Sequence, residues 1–124
     1  MRLDGAFLAL AGGAAILAET VGHFFGVGPL AGMRGSPYTI GGFEAHGLAI
    51  IIAILLLRGA TLADRRLWHA VGLSTHLLLG SANLLFWNAF VQQNLIGVGV
   101  VTTALHAAFA AAHSACLRSN ASPA

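Results

Sequence analysis

Apolar residues fall into four long runs along this chain, Ala6 to Val27, Ile40 to Leu57, Leu67 to Trp87 and Leu95 to Leu117. A helix needs about 20 residues to cross the hydrocarbon of a bilayer, so each run is of spanning length. The intervals "GPLAGMRGSPYT", "RGATLADRR" and "NAFVQQN" hold the Gly, Pro, Asn and Arg residues. They are short, which makes neighbouring helices antiparallel. No run alternates apolar and polar at every second residue, as the strands of a membrane barrel do. The pattern predicts an all-α fold: an integral membrane four-helix transmembrane bundle with antiparallel up-down topology. A single transmembrane domain is expected over 1–118, followed by a small polar tail, 119–124, expected to be disordered and to carry no targeting signal.

Composition strengthens this reading. Hydrophobic residues make up 57% of the chain and charged residues 8%, against about a quarter charged in a soluble domain. Arg2, Arg58, Arg65, Arg66 and Arg118 fall on one side of a four-span topology and only Arg34 on the other. That bias puts both termini in the cytoplasm of a bacterial-type inner or plasma membrane. The first run is read as a helix, not a cleaved leader, because Ile16-Leu17-Ala18 lacks the small residue expected before a cleavage site. The net charge of +2 expresses the arginine bias. With no basic cluster interleaved with aromatics, nucleic acid is not expected as a partner. The one cysteine, Cys116, excludes an intramolecular disulfide and a multi-cysteine metal site.

Packing signals are small residues and tryptophans. Gly22 and Gly26, and likewise Ala104, Ala108 and Ala112, recur four apart. Such spacing lets helices approach closely, within one chain or in a homodimer or larger membrane complex. Trp68 and Trp87 are separated by about 28 Å of helix and suit the two edges of the bilayer.

A polar stripe interrupts the third run. His69, His76 and Asn83 are seven apart, nearly two helical turns, and so share one face. His106 and His113 repeat the device on the fourth run. Counting depth along antiparallel helices at about 1.5 Å per residue matches His69 with His113 and His76 with His106. His69 and His113 lie close to the headgroups and are expected to reach water by snorkelling. Glu19, His23, Glu44, His46 and Asn83 are expected to form a second layer in the outer third. Glu19 and His23 are four apart and meet on one helical face. Glu44 has a simpler role open to it, offsetting a helix dipole, and Asn83 with Thr102 and Thr103 can serve as interhelical hydrogen-bond glue.

Ionisable groups in hydrocarbon cost about 2.5 to 3.5 kcal/mol each on insertion scales, so they should face inward and pair. Carboxylate with imidazole suits a divalent transition metal, which makes Glu19, His23, Glu44 and His46 candidate metal ligands. His76 and His106 are candidate cofactor ligands, to a metal or to one b-type haem. The most specific function is therefore a metal- or haem-binding membrane subunit. Three alternatives stand beside it: a structural or accessory subunit of a membrane complex, a proton-coupled carrier acting as a dimer, and a membrane enzyme on a lipid or isoprenoid substrate with Phe86 or Trp87 stabilising a cation.

Overall fold

The computed structural model describes residues 1–119 and is all-α, with no strand among them. Its helices are α1 (Arg2–Phe25), α2 (Thr39–Gly59), α3 (Arg66–Leu85), α4 (Trp87–Gln92) and α5 (Ile96–Ser119), with a short 3-10 turn at Ala31–Met33. The four apolar runs correspond to the four long helices. Of the expected polar tail 119–124, Ser119 is the last residue of α5 and the rest lies outside the described residues.

Two compact units divide the chain, residues 2–58 and the segment from Gly59 onward. In the first, α1 and α2 form an antiparallel hairpin. Partners descend along α2 as they ascend along α1: Gly5 meets Leu57, Gly12 meets His46 and Ile50, and His23 meets Thr39. Two glycines set this approach. A Cβ on Gly5 would lie 2.7 Å from Leu57 Cγ, and one on Gly12 would lie 2.9 Å from the His46 carbonyl oxygen. The expected close-packing pair, Gly22 and Gly26, works differently. Gly22 lies under Leu30 of the connection, and Gly26, at φ 65°, ends α1 in a left-handed turn that glycine adopts without steric cost.

The second unit is the antiparallel hairpin of α3 and α5, in which residues 69, 76 and 83 pair with 113, 106 and 102–103. Ala104, Ala108 and Ala112 lie on the exposed side of α5, away from these pairs. The stretch expected as a plain loop, "NAFVQQN", is largely helical. α3 stops at Leu85, and Trp87 opens α4, where its ring meets Phe90 at 5.6 Å. Trp87 therefore does not mark the end of α3. Phe90 in turn packs on Gly99 of α5, and Asn94, at φ 56°, turns the chain between the two helices. Asparagine tolerates that conformation better than most residues.

Burial is inverted relative to a water-soluble protein. Leu3, Leu10, Leu17 and Phe24 form an exposed stripe along α1, whereas Asp4, Glu19, His69, His76, His106 and His113 are buried. A surface of this kind is stable against lipid, not water. α1, α2 and α5 are long and apolar enough to cross a membrane. α3 is not among them, because His69, Ser74, Thr75, His76, Ser81 and Asn83 dilute its apolar content.

Candidate metal centre

Heptad spacing places His69 and His76 on the side of α3 that meets α5, and His106 and His113 return the same spacing from the other helix. The antiparallel register then sets imidazole against imidazole twice. His76 Nδ1 lies 2.9 Å from His106 Nδ1, and His69 Nδ1 lies 2.9 Å from His113 Nδ1. In each pair one ring donates its Nδ1 proton and the other accepts. The two rungs are joined, since the His76 and His113 rings stack at 6.1 Å and offer nitrogens within 4.8 Å of one another. Phe109 stacks on His76 at 5.0 Å and walls the site with an apolar face. Glycines admit the histidines: Gly72 faces the His113 ring and Gly80 faces the His106 Cβ.

The expected facing of His76 and His106 is thus present, and both are buried, at 1% and 8% exposure. The snorkelling expected of His69 and His113 is not: both are buried and bonded to each other. Their matched depth was the same signal that singled out the deeper pair. Proximity to the helix ends obscured it. Asn83 continues the ladder as glue, donating from Nδ2 to Thr102 Oγ1 at 3.1 Å and to Thr103 Oγ1 at 3.2 Å.

The second candidate layer divides. His46 Nδ1 lies 3.0 Å from Glu19 Oε1, a buried carboxylate held on α1 against α2. His23 turns to Thr39, with Nδ1 3.3 Å from Oγ1. Glu44 is exposed, and since it lies two residues from His46 on the same helix it points to another side. It also lies beyond the first turn of α2, so the dipole role expected of it is weak. Asn83 belongs to the other hairpin. Asp4, fully buried in the first turn of α1, is an acid that hydrophobic patterning does not mark, because it precedes the apolar run.

At the open end of the α3–α5 hairpin, beside His69, is a recess of about 460 Å³ lined by Asp64, Arg65, Arg66, Cys116 and Ser119. Just before α3, Asp64 Oδ1 accepts from the Arg66 backbone N–H at 3.0 Å.

Donor geometry decides what the paired imidazoles can hold. Metal–nitrogen bonds of about 2.0 to 2.1 Å put two ligands about 2.9 to 3.4 Å apart for angles of 90 to 109°. Both histidine pairs sit at the short end of that range. Compared with known proteins, the chain matches no family model, no curated protein and no solved structure. Fold and site together define a helical protein with apolar helices suited to a membrane and a buried histidine cluster able to bind a metal.

Proposed function

We propose that this chain is an integral membrane protein of four spans, both termini cytoplasmic, whose α3–α5 hairpin binds a divalent transition metal of the borderline class. His76 and His106 are the principal ligands and His113 is the neighbouring donor. The observation that carries the reading is the His76–His106 contact at 2.9 Å, buried, with a second histidine pair stacked against it. An all-nitrogen donor set favours zinc, copper, nickel or iron over magnesium or calcium. Counting α3 as a span is supported by the same contacts. His69, His76 and Asn83 are turned to α5 and need not meet lipid, and Thr75 Oγ1 donates to the Val71 carbonyl of its own helix.

Of the two cofactor classes, an ion suits the pair better than haem. Two axial imidazoles on one iron stand on opposite sides of it, about 4 Å apart at bonds of about 2.0 Å, with the macrocycle between them. At 2.9 Å the rings make a coordination edge instead.

The test is metal retention by the full-length protein, purified in mild detergent, equilibrated with zinc and freed of excess. His76→Ala and His106→Ala should each remove one bound equivalent, or weaken it at least about tenfold, and the parent should show no haem absorption. Retention of all zinc by both variants would refute the site. Loss of pH-driven flux in proteoliposomes by these variants, with no zinc bound by the parent, would favour the proton-coupled carrier. Variants indistinguishable from the parent in both assays would leave a structural or accessory subunit, and a lipid-directed enzyme would require activity dependent on Phe86 or Trp87.

A further inference from the structure

The α1–α2 hairpin contains a polar atom that its own contacts leave unsatisfied. Glu19 has a side chain only 9% exposed; Oε1 meets His46 Nδ1 at 3.0 Å, and Oε2 is buried with no hydrogen-bond partner among the described residues. A buried carboxylate oxygen with no partner costs about 1 to 3 kcal/mol or more. Repeated in a helix with hydrocarbon around it, that cost calls for a counter-group. Among the described residues no side chain supplies one: His23 is engaged with Thr39, and Glu44 is exposed.

We infer that Glu19 and His46 form a second, separate metal site, in which a divalent cation of the borderline class takes the place of the hydrogen bond between them. Glu19 Oε1 and His46 Nδ1 are 3.0 Å apart, a spacing that ligand bonds of about 2.0 to 2.2 Å span at close to a right angle. A carboxylate chelating through both oxygens also satisfies Oε2. Three donor atoms then come from two residues, and the side chain of His46, 40% exposed, leaves one side of the site open for a further ligand. The exchange balances. Binding places the cation on a carboxylate and a neutral imidazole and leaves the site at a charge of +1; the hydrogen that Nδ1 shares with Oε1 moves to Nε2 of the same ring, or leaves to solvent where Nε2 already carries one.

This inference does not depend on the histidine ladder, and one experiment separates the two. Full-length protein in detergent is titrated with cobalt(II), whose visible bands report its ligands, and then with zinc. The parent should take up two equivalents. Glu19→Gln, close in shape, should remove one and leave the ladder's bands unchanged, while a His76→Ala/His106→Ala double variant should keep the equivalent that Glu19→Gln removes. If Glu19→Gln fails to fold by circular dichroism and gel filtration, His46→Ala, at the partly exposed position, makes the same test. Full stoichiometry with unchanged affinity in the folded variant overturns the Glu19–His46 site. Full stoichiometry in the double variant instead overturns the ladder and leaves this site standing.

Discussion

Gly72 and Gly80 lie eight residues apart on α3 and both face histidines of α5, yet adding a methyl group should have opposite consequences at the two positions. A Cβ on Gly72 would lie 2.5 Å from His113 Nε2, 2.6 Å from Cε1 and 3.0 Å from Cδ2, over the face of the ring. Comfortable separations are about 3.5 to 4.0 Å, so the ring or the helix must retreat by about 1 Å. Overpacking of this kind costs about 1 to 3 kcal/mol. If the ring swings away, it also gives up the 2.9 Å bond to His69, about 0.5 to 1.5 kcal/mol. Alanine's better helix propensity returns at most about 1 kcal/mol. Gly72→Ala should therefore destabilise the protein by about 1 to 3 kcal/mol and weaken zinc binding at the ladder. At Gly80 the new Cβ would meet His106 Cβ at 3.4 Å, an ordinary contact. Gly80→Ala should be neutral or stabilising by up to about 1 kcal/mol. Reversible unfolding in mixed micelles, followed by circular dichroism with zinc retention measured in parallel, compares them. Equal stability and equal zinc retention in the two variants would refute the close approach of α3 and α5 at Gly72.

Membrane sidedness can be read from single cysteines placed at Asp64 and Asn94 in a Cys116→Ser background: an impermeant maleimide should label them from opposite sides if α3 crosses, and labelling from the same side would remove α3 from the spans. In the same background, cysteines at positions 76 and 106 should crosslink under mild oxidation, and failure alongside efficient crosslinking of lipid-facing controls would break the ladder's register. Asn83→Ala removes both bonds to Thr102 and Thr103, and at about 0.6 kcal/mol per membrane hydrogen bond it should cost about 1 kcal/mol in the unfolding assay; no change would mean that these bonds are replaced. Glu44→Gln should leave both stability and metal stoichiometry as they are, and loss of a metal equivalent would return Glu44 to the ligand set.

How far the sequence discloses this arrangement depends on the physical range of each signal. The four helices are legible because a run of about 20 apolar residues has few alternatives. The His76–His106 and His69–His113 contacts follow from spacing and antiparallel register, which are linear quantities. α4 is not legible: "NAFVQQN" is short and mixed, and it becomes helical where Phe90 finds Gly99. The outer layer fails as a group for a related reason. Depth along a helix can be counted from sequence, but rotation about its axis is set by packing. Glu19 and His46 meet because Gly5 and Gly12 let α1 settle on one face of α2. That same face leaves Glu44 exposed and brings His23 to Thr39.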